Sequence, residues 1–290
     1  MKGHGKEGIP VRQLSLEKRN KACCLRVFAN RVWLYHFGRG IVTTANDFGA
    51  NGQRPSHPEL LDHLAGFLIQ SDWQTMALHR LILLSNTYRQ FSEPTSRGLA
   101  DSIDPNNSLL WHFPMHRLSA EEIRDSMLVA SGQLNTEMGG PGVILQVHQD
   151  LVKQLYKPSQ WEVTKSVQER MNRSVYLFAK RNLRLPFMEV FDQPAAQTSC
   201  SSRQQSTHAP QALELLNGDI ANPLAASFAQ RLNREAGDNT LAQIETAFML
   251  ALGRQPTDLE QQLAASFLEK ESLNEFALAI FNLNAFLYVR

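Results

Sequence analysis

The sequence predicts a mainly α fold, an irregular multi-helix domain with long loops and at most one or two short strands. Apolar residues recur at helical spacing through most of the chain. Ser or Thr followed three residues later by Glu or Gln, the pattern of a helix N-terminal capping box, precedes several of these segments. Segments rich in β-branched and aromatic residues are few. These three observations favour helices packed on helices.

The first predicted helix lies near the start of the chain. Residues 25–37 form an apolar stripe, and Gly38 is expected to end the helix. Cys23 and Cys24 precede the stripe directly, and neighbouring residues on a helix point about 100° apart. They are therefore badly placed for a bond to each other, and we interpret both as small buried residues.

Two further helices are expected to form an antiparallel hairpin. Ser56 and Glu59 have capping-box spacing, and the apolar pattern over residues 60–68 follows them. Residues 70–72 are expected to end this helix and to supply the N-cap of the next, over residues 73–88. A connection this short joins antiparallel neighbours.

The second half of the chain repeats these signals. Three capping-box pairs open predicted helices: Ser119 with Glu122, Thr240 with Gln243 and Thr257 with Glu260. A last helix is expected over residues 273–286. Residues 174–179 give the best strand signal, although a buried extended segment would have the same composition. Residues 91–107 and 193–210 are rich in Ser, Pro, Asp, Asn and Gln and predict two long irregular loops.

The composition excludes several classes of protein. The 290 residues include 29 Lys and Arg against 28 Asp and Glu, and this balance argues against a nucleic-acid-binding protein. Segment 165–184 is basic and contains aromatic residues, but a solvated basic face gives the same pattern. No run of about 20 apolar residues predicts a transmembrane helix. Three cysteines cannot form a four-cysteine zinc site or a disulfide framework, and no cofactor or metal is expected.

The two ends of the chain differ in composition. Residues 1–22 are polar and predict an atypical, mobile tail, followed by a single, mostly helical domain over residues 23–290. The tail lacks the apolar segment of a secretory signal, so the chain as written would stay in the cytoplasm.

Individual residues with reactive side chains give only weak signals. Cys200 lies in a polar stretch beside Arg203, and a nearby cation lowers the pKa of a thiol. A nucleophilic cysteine also needs a positioned base, and His208 is the nearest histidine in sequence. A structural thiol is the favoured interpretation of Cys200, because the sequence shows no geometry for a catalytic pair. The histidine pairs, including His57 with His63, lack the spacing of a metal site and are interpreted as capping, surface or hydrogen-bonded residues.

Several blocks of the sequence, taken in order, resemble one family. We define a first signature over residues 30–62 and a second over residues 191–217. The blocks that carry the resemblance are Asn30-Arg31-Val32-Trp33, Asp47-Phe48-Gly49, Pro55-Ser56-His57-Pro58-Glu59, Arg117-Leu118-Ser119, Phe191-Asp192, Cys200, Arg203, Pro210-Gln211-Ala212-Leu213 and Leu216-Asn217. They are similar to the domain of unknown function family 1553, over residues 25 to 290.

The resemblance implies a context rather than a reaction. In that family the domain is the C-terminal part of large planctomycete-type proteins that also carry cytochrome c-like domains. Haem is then held in those separate domains and not in this chain. The implied partners are other domains or proteins of a cytochrome c-containing assembly, and the implied location is extracytoplasmic.

Two functions from different classes follow. The first is an interaction or scaffold domain of a multidomain, surface-located or redox-associated protein. Its exposed-type residues would then contact partners: Arg31, Trp33, His57, Asp192 and Arg203. The alternative is a hydrolase-like domain that acts on a complex polymer. Its site would combine the two signatures, with Asn30, Arg31, Asp47 and His57 from the first and Asp192, Cys200, Arg203 and Asn217 from the second.

Overall fold

The computed structural model describes residues 16–93 and 98–289, with side chains from residue 23 onward. Within this part the protein is mainly α, with fourteen helices and one two-stranded sheet, so the predicted fold class is confirmed. The chain forms two compact units: unit 1 extends up to His116, and unit 2 covers Arg117–Val289. Whether residues 23–290 act as a single domain stays a prediction.

Unit 1 is built on a long first helix. Its described helices are α1 (Leu16–Phe37), α2 (Pro58–Gln70), α3 (Thr75–Leu83) and α4 (Gly98–Ile103). The sequence predicted a mobile tail over residues 1–22, but residues 16–22 belong to helix α1. Residues 1–15 of the predicted tail lie outside the described residues. It packs against α2, and the guanidinium of Arg26 pairs there with the carboxylate of Asp62.

An aromatic cluster forms part of the core of unit 1. Trp33 stacks on Phe37 with ring centroids 4.2 Å apart. Phe37 and Tyr88 both contact Phe113, with centroids 6.1 and 5.2 Å away. Trp33 is buried, so the expectation that it is an exposed contact residue was wrong; it packs on its own helix one turn from Phe37.

Unit 2 contains the remaining elements, apart from His116, the first residue of β1. Its helices are α5 (Ala120–Ser131), α6 (Gln149–Lys153), α7 (Val167–Arg170), α8 (Pro186–Val190), α9 (Ala209–Asn217), α10 (Ala221–Ala236), α11 (Thr240–Leu252), α12 (Asp258–Leu268), α13 (Leu273–Asn282) and α14 (Asn284–Leu287). The sheet pairs β1 (His116–Arg117) with β2 (Tyr288–Val289). Helix α10 lies at the centre and packs against α5, α11 and α13. There the ring of Phe228 stacks on Phe281 at 5.5 Å.

Two of the predicted capping boxes, those that open α5 and α12, are confirmed. Ser119 caps α5 with a complete capping box, and Thr257 does the same for α12. Gly132 ends α5 in the left-handed conformation that favours glycine. The prediction for α11 was displaced by one residue, because the side chain of Asn239 accepts the capping hydrogen bond from the N–H of Ala242.

Three local predictions in the first half were wrong. Helix α2 has His57 at its N-cap without a side-chain hydrogen bond, because Ser56 is used elsewhere. Helix α3 begins at Thr75 rather than at residue 73, since Asp72 and Trp73 both have left-handed backbone angles, with φ of 55° and 61°. Cys23 and Cys24 were expected to be buried, but both are exposed on α1.

Two predictions in the second half also need correction. Residues 174–179 do not form a strand; Ser174–Tyr176 is a 3₁₀ turn, followed by an isolated bridge between Leu177 and Val143. The last predicted helix is divided into α13 and α14, because Leu283 between them has extended backbone angles.

Candidate functional site

The first signature contains a loop of unit 1, residues 38–57, which we call the first loop. The amide of Asn30, wholly buried on α1, makes a reciprocal pair of hydrogen bonds with the backbone of Val42: its Nδ2 donates to the carbonyl oxygen at 3.0 Å, and its Oδ1 accepts from the N–H at 2.8 Å. Gly40 lies directly against this amide, where a Cβ atom would stand 2.6 Å from the oxygen of Val42. Asn30 is therefore an internal clamp for the loop.

Asp47 shapes the middle of the first loop. Its Oδ1 accepts a hydrogen bond from the N–H of Gly49 at 2.8 Å, and its backbone oxygen accepts from the hydroxyl of Thr44 at 2.8 Å. A Cβ atom on Gly52 would stand 2.1 Å from that same oxygen. The carboxylate thus forms a local turn of the kind that Asp favours.

The remaining first-signature residues fasten the loop ends. The N–H of Ser56 donates to the oxygen of Ile41 at 2.9 Å, and its hydroxyl donates to the same oxygen at 3.2 Å. The half-buried ring of His57 bonds back to the Ser56 hydroxyl through Nδ1 at 3.0 Å. The guanidinium of Arg31 donates to the side chain of Asn46 at 3.0 Å. The side chains of the first signature therefore stabilise the conformation of the first loop.

A histidine cluster that the sequence did not indicate lies in the same unit. Nε2 of His36, on α1, is 2.8 Å from Nδ1 of His79, on α3, and His116 of β1 lies near enough to influence the charge of His36. The three residues are 43 and 37 positions apart in sequence. No spacing rule connects such positions, so only the fold brings them together.

The second signature organises another loop, residues 192–208 of unit 2, which we call the second loop. The carboxylate of Asp192 accepts hydrogen bonds from the hydroxyl of Ser206 at 2.6 Å, from the N–H of Ser206 at 2.8 Å and from the guanidinium of Arg117 at 2.6 Å. Arg117 is buried, donates also to the carbonyl oxygen of Ser206 at 2.6 Å and lies over the ring of Phe191. Both oxygens of Asp192 are thus used inside the protein.

The electrostatics of Asp192 agree with a structural role. Burial raises the pKa of the carboxyl, but the hydrogen bonds from Ser206 and Arg117 outweigh that effect and hold the pKa below its ordinary value. The residue has a left-handed backbone, with φ of 62°, which Asp tolerates better than most residues. The carboxylate therefore stays ionised near neutral pH and fixes the start of the second loop to its end.

A second ion pair holds the middle of the second loop. The guanidinium of Arg203 forms a fork with the carboxylate of Glu121 on α5, with N–O distances of 2.5 and 3.1 Å. Burial raises the pKa of Glu121, but the charge and hydrogen bond of Arg203, with hydrogen bonds from the backbone and from Gln193, together outweigh it and lower the net pKa. Cys200 lies between the two anchors, is exposed, and donates to the carbonyl oxygen of Ser202 at 3.2 Å. Asn217 is an exposed residue at the end of α9.

The depressions found on unit 2 are not lined by the candidate residues. A small one of about 60 Å³ is lined in part by Phe178, Lys180 and Gln193. A wide, shallow one of about 720 Å³ is lined in part by Thr164 and Lys165. Asp192, Cys200, Arg203 and Asn217 line neither of these two depressions.

The described part of the chain offers neither a metal site nor a membrane-crossing helix. Over residues 16–93 and 98–289, no group of three or more His, Cys, Asp or Glu side chains is arranged to hold a metal ion. None of the helices in that part of the chain combines the length and apolar character that a membrane crossing requires.

Comparison with known proteins identifies the family. Neither the curated proteins nor the solved structures gave a match to this chain. The family model described as PSD1, protein of unknown function (DUF1553), matches residues 14–268 and so includes both signatures. The chain therefore belongs to the DUF1553 family, as the sequence motifs indicated.

Proposed function

We propose that this chain is an interaction domain that presents the second loop of unit 2 to a partner. The observation that carries the proposal is that an exposed loop is fixed by two ion pairs to other parts of unit 2. Every residue from 195 to 208 is exposed, while the anchoring groups of Arg117 and Asp192 are buried or half-buried beneath it. Binding residues are often placed on loops that a rigid scaffold positions.

The anchors lower the entropic cost of recognition. A loop that already has one conformation loses less freedom when it binds than a flexible loop does. Between Asp192 and Ser206 the loop offers hydroxyl and amide groups from Gln197 to Gln204, and the arginine of that stretch, Arg203, is paired with Glu121. Such side chains suit a partner surface that is polar rather than strongly charged.

The partner that we propose is another domain or protein of a cytochrome c-containing assembly, as the family resemblance implies, and a cytochrome c-like domain is the case that we test. The hydrolase-like alternative would need Asp47, His57, Asp192 or Cys200 as a reacting group. The contacts described for Asp47 and Asp192 are hydrogen bonds from the neighbouring backbone or from internal donors. This use of both carboxylates supports the interaction proposal over the enzymatic one.

The exposed thiol of Cys200 gives a direct test. A photo-crosslinker is attached at Cys200 in a Cys23→Ser, Cys24→Ser variant, and the protein is illuminated with a purified cytochrome c-like domain. The matched control carries the same label at Cys24, which is exposed on α1 in unit 1, with Cys23 and Cys200 replaced by Ser. We expect a covalent adduct from the Cys200 label and none from the Cys24 label.

Releasing the second loop should lower the yield of the covalent adduct. Glu121→Gln removes the charge that holds Arg203, while Glu137→Gln changes an exposed carboxylate elsewhere in unit 2 and serves as its control. We expect a lower adduct yield with Glu121→Gln alone. Equal labelling from Cys200 and Cys24, or no adduct at all, would contradict the proposal.

A further inference from the structure

The histidine cluster of unit 1, His36, His79 and His116, joins three separate elements. His36 lies in the last turn of α1, His79 in the middle of α3 and His116 in β1. The ring of His36 meets that of His79 edge to face, with centroids 5.1 Å apart. His116 packs against the backbone at Gly38, directly after α1, where a Cβ atom would stand 3.7 Å from that of His116.

The contact between His36 and His79 restricts how many protons the pair can hold. Two ring nitrogens 2.8 Å apart form a hydrogen bond only if one carries a proton and the other offers a lone pair. The neutral pair and the singly protonated pair satisfy this condition. When both rings are protonated, two N–H groups face each other and the contact becomes repulsive.

The surroundings also oppose protonation. The ring of Tyr88 packs edge-on against His36 at 5.6 Å, and Phe37 and Phe113 continue the same aromatic cluster. Burial lowers the pKa of His36, and the electrostatic effects of His79 and His116 lower it further. Both groups whose charge acts on His36 are imidazoles, so each proton added to the cluster makes the next less favourable.

His116, the third member of the cluster, and the neighbouring His112 and Asp104 each have contacts of their own. Nδ1 of His116 faces the carbonyl oxygen of Pro114 at 3.2 Å, and Nδ1 of His112 faces that of Phe113 at 3.0 Å. The charges of Arg39 and His112 act on Asp104, whose carboxylate accepts hydrogen bonds from the N–H groups of Ser108 and Leu109.

We propose that the histidine cluster is an acid-sensitive switch, which holds the end of α1 to α3 near neutral pH and releases them when a second proton enters the cluster. The ordinary pKa of His36 is 6.5 and its pKa in the folded protein is lower, so the neutral form is favoured by folding. The resulting stability is fully present above pH 6.5 and is lost as the pH falls below that value. Unit 1 would then loosen in mildly acidic surroundings.

Amide hydrogen exchange of the full chain, measured at pH 7 and pH 5, tests the switch. The variant His36→Gln, His79→Asn replaces each ring nitrogen in the contact by an amide group that can hydrogen-bond but does not titrate. His63→Gln, on the exposed face of α2, is the matched control. Comparing each variant with the wild type at the same pH removes the intrinsic pH dependence of exchange.

We expect peptides from α1 and α3 to lose protection between pH 7 and pH 5 in the wild type and in His63→Gln. In the double variant this acid-induced loss should disappear. Retention of the full loss in the double variant would overturn the proposal. If the double variant does not fold, NMR titration of the His36 ring in the wild type decides: the switch requires His36 to titrate below its ordinary pKa of 6.5, and a midpoint at or above that value would refute it.

Discussion

The first loop of unit 1 and the second loop of unit 2 are both held by hydrogen bonds to side chains of their own unit, but the chemistry differs. In the first loop, the clamp is the uncharged amide of Asn30, and two glycines let backbone groups approach closely. In the second loop, the anchors are the ion pairs of Arg117 with Asp192 and of Arg203 with Glu121. Each family signature therefore marks residues that fix a loop, by an uncharged amide in unit 1 and by ion pairs in unit 2.

The difference decides how each loop responds to its surroundings. An amide clamp does not change with salt or with pH in the ordinary range. An ion pair depends on both partners staying charged, and removing one partner leaves a buried charge without compensation. The second loop should therefore be the more sensitive to single charge changes, and the first to changes of shape.

The largest effect is expected from Arg117→Ala. Arg117 is buried against Asp192, so its loss should lower the free energy of unfolding of unit 2 by about 3–5 kcal/mol. Urea denaturation with peptide-resolved hydrogen exchange measures this change. Arg181→Ala, an exposed arginine of the same unit, is the control and should change stability by less than about 0.5 kcal/mol. A similar small change in both variants would show that the ion pair does not hold the second loop.

The next effect tests shape in the first loop. Gly52→Ala would place a Cβ atom 2.1 Å from the backbone oxygen of Asp47, so the loop must shift, at a cost of about 1–3 kcal/mol. Gly66→Ala, in α2 with open space around it, should instead stabilise unit 1 by about 0.5–1 kcal/mol. Thermal denaturation of the two variants should give shifts of opposite sign. Shifts of the same sign would contradict the tight approach at Gly52.

A smaller change in stability distinguishes Ser119, which caps a helix, from Ser56, which only has the sequence pattern of a cap. Ser119→Ala removes the capping box of α5 and should destabilise unit 2 by about 1 kcal/mol. Ser56→Ala removes a partly exposed hydrogen bond to Ile41 and no cap of α2, so about 0.5 kcal/mol is expected. Urea denaturation of both variants checks the order. A larger loss for Ser56→Ala would mean that its bond to Ile41 matters more than helix capping.

The finest distinction concerns the order in which the units respond to acid. The pKa of His36 is lowered from 6.5, so unit 1 loses stability as the pH falls below 6.5. The pKa of Asp192 is lowered from 3.8, so its contribution to unit 2 is present above pH 3.8 and is lost only below it. Hydrogen exchange at pH 7, 5 and 3 should show unit 1 losing protection first. Simultaneous loss in both units would contradict the separate origins of their acid sensitivity.

The helices could be predicted from the sequence where local chemistry decides them. Ser119 and Thr257 each satisfy a helix terminus within the same four residues, so their neighbours in space are their neighbours in sequence. Ser56 has the same pattern, but its hydroxyl donates to Ile41, 15 residues earlier. A capping residue with a competing long-range partner cannot be recognised from its local pattern.

The candidate residues could be found as members of the signatures, but their roles could not. Asp192 and Arg203 were singled out, yet their partners Arg117 and Glu121 lie 75 and 82 residues earlier. The histidine cluster had no signal, because its members come from α1, α3 and β1. Cys23 and Cys24 were assigned to the core by residue type alone, which does not reveal which side of α1 faces solvent.

By itself, the sequence determined the mainly α fold, the capping of α5 and α12, and membership of the family, because helix periodicity, caps and motifs are properties of neighbouring residues. The tertiary structure alone decided that Asn30 clamps one loop, that Arg117 and Glu121 anchor the other, and that His36 meets His79. Each of these depends on side chains brought together over long sequence separations. Burial then sets the strength of their hydrogen bonds and the pKa of their ionisable groups.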